Sequence, residues 1–402
     1  MAAPSDSSPL FRPFALDGLV LRNRIIRAGC FEGMSQGGMV TPELIEHHRR
    51  VAAGGVAMTT LSYCAVSADG RAFGHELWMR PEIVPGLRKL VRAVHGEGAA
   101  ACIQLGHCGY FSAPSVIGRR PLGPSARFCL YRLSRSAEMT HADIRKKIGD
   151  FVRAASLARE AGFDAIEIHA GHGYLLSQFI SPRTNHRRDE YGGTLANRLR
   201  MACEVIWEVR AEVGPGFPLI VKMNVSDGMR GGLELGEAVI AAREFASAGA
   251  SALVPSCGFT SKTPLFMLRG KRPLAQMLRL EKRPLKKLGL ALFGCTAVAQ
   301  YPFKPLFLLE EARRIKEAVN IPVGYVGGVL NLSHMQSLLA QGFAFVQIGR
   351  ATIRDPEFVL RLRRGEIEES DCDQCNRCVA AINVGAVTCF RETSNSKPKE
   401  EG

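Results

Sequence analysis

The stretch ADIRKKIGDFVRAASLAREAGFDAIEIHA, Ala142 to Ala170, contains the alternation that decides the fold. From Ala142 to Ala161 apolar residues recur at helical spacing, and Gly162 follows where a helix most readily stops. Ala165 to Ala170 is then a nearly continuous apolar run of strand length, as a strand buried on both faces must be. The same unit recurs along the chain. Strands are expected at Arg24 to Phe31, Val56 to Val66, Ala99 to Leu105, Ala165 to Ala170, Leu219 to Asn224, Ala250 to Pro255, Val323 to Gly327 and Ala344 to Gly349. Helices are expected at Pro42 to Ala53, Pro81 to His95, Ala142 to Ala161, Leu195 to Val213, Glu234 to Ala248, Leu308 to Val319, Leu332 to Gln341 and Pro356 to Arg364. Repeated strand-then-helix units mean parallel strands, and eight of them predict an α/β fold, a (β/α)8 TIM barrel. An open doubly wound sheet is the rival, but RAGCFEGMS after the first strand has no dinucleotide-binding glycine fingerprint.

Working outward, the barrel is expected over residues 9–366 and a Cys-containing extension over residues 367–402. Two connections, Gly106 to Thr140 and Ser256 to Pro305, are too long for plain loops. Both follow strand C-termini, the end at which barrels of this kind place their sites, so both are expected to be lids or substrate walls. Within the second, Lys262 to Lys287 carries nine Lys or Arg against Glu281 alone, interleaved with Leu, Met and Phe. That segment could touch a membrane surface or an anionic partner; a solvated lid with a few apolar anchors is the reading favoured at this level.

Composition sets outer bounds. The chain has 402 residues, 46% hydrophobic and 22% charged, which suits a sizeable core and excludes global disorder. The longest uncharged apolar stretch, Leu288 to Ala299, is too short for a membrane-spanning helix. MAAPSDSSPLF lacks the pattern of a secretory signal, so a cytoplasmic protein is expected. Twelve cysteines are too dilute for a disulfide scaffold. The net charge of +14 suits phosphorylated cofactors, nucleotides, nucleic acid or an anionic surface, and equally a merely basic exterior.

At the strand ends the sequence turns polar: Cys30, Gln104, His107, His169, His172, Tyr174, Lys222, Gly327, Gly328, Gly349 and Arg350. The glycines after the last two strands fit a phosphate site, with Arg350 as the counter-charge, although glycine pairs also serve as tight turns. His169, His172 and Tyr174 lie on one short stretch, IHAGHGY, and could converge on a ligand oxygen as two hydrogen-bond donors and a proton source. Zinc is a competing use of two histidines, but no HExxH arrangement follows.

The segment IHAGHGYLLSQFISPRTNHRRDEYGGTLANR, Ile168 to Arg198, resembles the signature of the old yellow enzyme family of FMN-dependent oxidoreductases. The resemblance extends through LVLRNRII (Leu19 to Ile26), IQLGH (Ile103 to His107), VKMNVSDG (Val221 to Gly228) and Tyr325 to Phe358, and covers about residues 9–390. It implies FMN at the barrel mouth and NAD(P)H as hydride donor. Ala28, Gly29 and Cys30 would lie along the flavin, Gln104 and Lys222 on its pyrimidine edge, and Gly327, Gly328, Gly349 and Arg350 at its phosphate. It also implies His169 and His172 on the carbonyl or nitro oxygen of an electron-poor alkene, with Tyr174 as proton donor. The chain departs from the family pattern at Lys222, where arginine is usual, and at Tyr110, where an arginine is often found. Cys30 is the residue expected to tune the flavin, with a bystander thiol as the alternative.

Cys372, Cys375, Cys378 and Cys389, spaced C-x2-C-x2-C-x10-C, have metal-ligand spacing. They resemble the cluster-binding segment of the dienoyl-CoA reductase branch, with one interval shorter by a residue. An iron–sulfur cluster, zinc and free thiols all remain open at this level. The function the resemblance implies is reduction of activated alkenes by ping-pong hydride transfer, with an electrophilic alkene and NAD(P)H as partners, no nucleic acid, and a homo-oligomer left open. Rivals are an iron–sulfur enzyme fed by a separate donor, dihydrouridine synthesis on tRNA, and a flavin-free protein that binds an anionic partner.

Overall fold

In a computed structural model, which describes residues 8–391, the eight apolar runs form one parallel sheet. The strands are β1 (Ile25–Arg27), β2 (Met58–Ala65), β3 (Ala100–Gly106), β4 (Ala165–Ala170), β5 (Leu219–Ser226), β6 (Ala252–Cys257), β7 (Gly324–Val326) and β8 (Phe345–Ile348). Each pairs with its neighbour in chain order from β1 to β6, and β8 lies between β7 and β1. The ring closes between β6 and β7, where Leu253 bridges Val323 and its N–H donates to Pro322 O at 3.0 Å. An open sheet would leave these two strands as unpaired edges, so the fold is the (β/α)8 barrel.

The N-terminal end of the barrel is sealed by apolar packing. Leu16 and Leu21, from the hairpin Phe14–Leu16/Leu19–Leu21, cluster with Met58, Ala165, Ile220, Ala252 and Phe345 near the strand starts. Burying these side chains stabilises by roughly 25 cal/mol per Å² of apolar area removed from water. The longest of the surrounding helices, His141–Ala161, shows how local chemistry fixes an element. Thr140 and Asp143 form a reciprocal capping box, worth about 1 kcal/mol, and Gly162 ends the helix at φ +91°, a conformation that side chains with a Cβ resist.

Some boundaries differ from expectation. The first strand stops at Arg27 rather than running to Phe31, because the buried Arg27 guanidinium ion-pairs with Glu32 at 2.9 Å and donates to Thr60 O at 2.7 Å. That draws the chain inward and releases Gly29 and Cys30 from the ladder, while Ala28 keeps one bond to Ile348 O. The last helix shortens to Phe358–Arg363, and a separate turn of helix, Arg350–Arg354, precedes it. The 256–305 connection carries a helical hairpin, Leu274–Leu280 and Pro284–Ala297.

The Cys-rich extension is stitched to several barrel loops. Ser370 N donates to Leu330 O, Gln374 O accepts from Lys271 N, and Val387 N donates to Glu32 O. Residues 392–402 of the expected extension lie outside the described residues. Among the described residues no helix is long and apolar enough to cross a membrane.

Candidate active site at the barrel mouth

A single carboxylate organises the floor of the mouth. Glu167, at the centre of β4, is fully buried, and three neighbouring side chains converge on it. Gln104 Nε2 donates from β3 at 2.6 Å and Lys222 Nζ from β5 at 2.8 Å, both to Oε1, while Gln347 Nε2 donates from β8 at 2.9 Å to Oε2. Ser62 Oγ, from β2, donates to the Oε1 of Gln104 at 2.8 Å. A buried carboxylate without such partners would be prohibitively costly. The network therefore holds Gln104 and Lys222 with their polar ends fixed across adjacent strands.

Above this floor sit the two histidines and the tyrosine, which the fold brings together. The His169 and His172 rings are 4.8 Å apart by centroid, as are the His169 and Tyr174 rings, both edge-on. Gly171 N–H donates to His169 Nδ1 at 3.3 Å. That bond leaves the proton of the neutral ring on Nε2, which makes Nε2–H a donor. Burial, and then the neighbouring His172 and Lys222, push the His169 pKa well below its ordinary value. Burial and Lys222 likewise lower His172 to about 3, so both rings are neutral at physiological pH. His172 stands at φ +57°, its N–H held by Asn224 Oδ1 at 2.9 Å and its Nε2 2.7 Å from Ser256 Oγ. Partial burial, with Cys108 and Glu76 nearby, raises the Tyr174 phenol above its usual range and keeps its proton in place.

Cys30 lies against Gly349, its thiol raised by burial against the opposing pull of Arg27, Lys222 and Arg350, so it is a thiol rather than a thiolate. His107 joins a different group: its Nε2 is 3.4 Å from Asp69, whose carboxylate also takes Lys147 Nζ at 2.6 Å. Tyr110 is buried with its hydroxyl 2.7 Å from Ser261 Oγ and its ring stacked near Phe259. Arg350 is tied to the extension and the 256–305 hairpin: its Nη1 donates to Asn376 Oδ1 at 2.6 Å and to Arg269 O at 3.0 Å, and its Nη2 to Leu268 O. Together with Arg354 and the four cysteines Cys372, Cys375, Cys378 and Cys389 it lines one cavity.

This arrangement has relatives. The model of the NADH:flavin oxidoreductase / NADH oxidase family matches residues 9–254. A Rhodococcus erythropolis protein, 4,4'-dithiodibutanoate disulfide reductase, is 37% identical over 97% of this chain and 96% of its own length. The chain belongs to this family. It is an FMN-dependent NAD(P)H oxidoreductase of the old yellow enzyme type. An NADH oxidase of Thermoanaerobacter brockii is 30% identical over 91% of this chain, which spans 52% of that relative's length. Among solved structures, a 2-naphthoyl-CoA reductase superposes with a TM-score of 0.79 at 23% identity, covering 92% of this chain and 54% of that one. An old yellow enzyme homologue from Zymomonas mobilis does so with a TM-score of 0.72 at 21% identity, covering 91% and 95%. Likeness at this identity shows the shared barrel.

The residues present fit the flavin on this structure's own terms. A Cβ at Gly29 would lie 2.8 Å from Gln104 Nε2 and 3.2 Å from Ser62 Cβ, so only glycine keeps that edge of the mouth flat. Gln347 Oε1 is buried without a donor, leaving acceptor capacity beside Lys222 and Gln104 for a polar bound group. Sequence reasoning missed Glu167, Gln347, Ser62, Asn224 and Ser256. Glu167 carried a signal, a charge in the middle of an apolar buried strand two residues before His169, on the same face.

Proposed function

We propose that the enzyme reduces the activated double bond of an α,β-unsaturated carbonyl or nitro compound. The observation that carries this is the fixed tautomer of His169, whose Nε2–H is presented beside His172 and Tyr174 above the Glu167 network. When bound, FMN supplies hydride transfer at N5, from NAD(P)H that then leaves to the β-carbon of the acceptor that follows. Gln104 and Lys222 would hold its pyrimidine edge, and Ala28, Gly29 and Cys30 would line it. Gly327, Gly328 and Gly349 would admit its phosphate, and Arg350, already bonded to the extension, would add its charge from there.

His169 binds and orients the acceptor oxygen. Its donor position, fixed in advance by the Gly171 amide, stabilises the negative charge that grows there without reorganisation. His172 serves the same oxygen when Ser256 donates to its Nε2 and the proton sits on Nδ1. Tyr174 keeps a proton on its phenol for the α-carbon.

Tyr174→Phe is expected to leave reduction of the cofactor by NAD(P)H within about twofold and to slow turnover of a cyclic enone about 100-fold. Stopped-flow measurement of the two half-reactions tests this; a collapsed reductive half with an unchanged oxidative half would reassign Tyr174. The Rhodococcus erythropolis relative supports a second acceptor class, a linear organic disulfide. Disulfide cleavage protonates no carbon, so a Tyr174→Phe variant that kept full disulfide turnover while losing enone turnover would separate the two.

A second centre is supported by the cysteine cavity. Cys372, Cys375, Cys378 and Cys389 line one cavity together with Arg350 and Arg354. Their C-x2-C-x2-C-x10-C spacing, close to that of the cluster-binding segment of the dienoyl-CoA reductase branch, supports an iron–sulfur cluster that passes single electrons, with tetrahedral zinc as the rival. Anaerobically purified protein is expected to contain matched iron and sulfide, lost in Cys375→Ala. Zinc at one equivalent without sulfide would reverse the assignment.

A further inference from the structure

The hairpin after β6 turns an apolar face to solvent. In its second helix, Pro284–Ala297, Leu285 is 85% exposed, Leu288 58%, Leu292 66% and Phe293 64%. Positions 285, 288 and 292 stand at i, i+3 and i+7, so they share one face of the helix. The opposite side is seated on the first helix, where a Cβ at Gly294 would lie 2.5 Å from Leu274 Cδ1. The absence of a side chain at Gly294 brings the two helices into contact and leaves the large residues pointing outward. A run of this kind on a water-facing helix is uncommon without a partner.

The charge around it is of one sign. Arg279, Lys282, Arg283, Lys286 and Lys287 are all exposed at this end of the hairpin, against Glu281 alone. A second apolar projection lies close by. The loop after β3 carries a small hairpin, Phe128–Cys129 paired with Ser134–Arg135, whose Phe128, Leu130 and Leu133 are exposed. Its Arg132 is near enough to help lower the Lys286 pKa, behind burial and Arg283. Both insertions leave from strand C-termini, the end of the barrel that carries the His169 site.

We propose that the helix Pro284–Ala297 and the adjoining tip Phe128–Arg135 form a docking face for an anionic lipid bilayer. The leucines and phenylalanines enter the boundary between headgroups and acyl chains, and the Lys/Arg rim meets the lipid phosphates. Charge complementarity selects this occupant. Two copies of the chain pairing by symmetry would set the same cations against each other. Leu285, Leu288, Leu292 and Phe293 are 58–85% exposed and project from the helix into solvent, as side chains that enter a lipid boundary must. Docking here brings the mouth of the barrel to the membrane surface.

The test is co-sedimentation of the FMN-loaded full-length protein with vesicles of phosphatidylcholine alone or with 30% phosphatidylglycerol, over a salt series. Binding to the anionic vesicles is expected to exceed that to neutral ones at least tenfold and to weaken with salt. Leu285→Gln/Leu288→Gln/Leu292→Gln, which keeps every charge, and Lys282→Gln/Lys286→Gln/Lys287→Gln, which keeps every leucine, are each expected to lose binding at least tenfold. Flavin content and turnover of a water-soluble enone, unchanged in both variants, show that the barrel is intact. Equal binding by the leucine variant would mean that the net charge of the chain alone attracts the vesicles, and would overturn the proposal. So would no binding by the parent protein, or a parent dimer that the leucine variant breaks while neither binds vesicles.

Discussion

Glu167→Gln is expected to cost about 3–5 kcal/mol in urea unfolding and to strip most of the FMN from the purified protein. The carboxylate is the shared acceptor of Gln104, Lys222 and Gln347 and lies beyond the reach of water. An amide of the same size removes the counter-charge of Lys222 and presents a donor to groups that are themselves donors. Breaking one partner of a buried ion pair is commonly worth this much, because the surviving charge stays desolvated. The double variant Glu167→Gln/Lys222→Met is expected to recover a large part of the stability and none of the flavin affinity. Equilibrium unfolding and the flavin-to-protein absorbance ratio check both outcomes. Near-wild-type stability of the single variant would show that water or a relaxed side chain compensates, and would end the assignment of Glu167 as the organiser of the floor.

His169→Ala is expected to weaken phenolic ligands, which mimic an enolate, about 100-fold and to slow enone turnover by roughly 100- to 1,000-fold, the range seen when one preorganised donor to a developing oxyanion is lost. His169→Asn, which restores an N–H near the same place, should regain part of the affinity. The pH profile adds an independent readout. Burial lowers both histidines well below the ordinary imidazole range, His172 to about 3, so neither ring gains a proton near neutral pH. Phenol binding should therefore show no histidine step between pH 5 and 8. A step near 6.5 would mean that one ring titrates as an exposed imidazole, and that charge rather than a neutral N–H grips the ligand.

Much of this was legible in the chain because it is periodic. The run Ala165–Ala170 was placed to the residue, since a strand buried on both faces must be apolar throughout. The first strand was overdrawn because its shortening depends on Arg27 meeting Glu32 and Thr60, a contact with a neighbouring strand that local pattern does not carry. The polar residues at the strand ends divide in space. His169, His172 and Tyr174 come together, whereas His107 belongs to the Asp69–Lys147 group, although its place just past a strand end looked the same in sequence.

The sequence by itself determined the barrel, the family, and the position of the histidine and tyrosine cluster, because apolar periodicity and a long contiguous motif are local properties of the chain. Only the tertiary structure decided which nitrogen of His169 carries the proton and that Glu167 binds three other strands' side chains. It also decided that Arg350 is tied to the extension and that Leu285, Leu288 and Leu292 face outward. The His169 tautomer is set by the turn that carries Gly171 N–H back onto Nδ1, and the others by atoms that meet across the fold or by the side of a helix that the fold covers; none of these is encoded in the spacing of residues along one strand or helix.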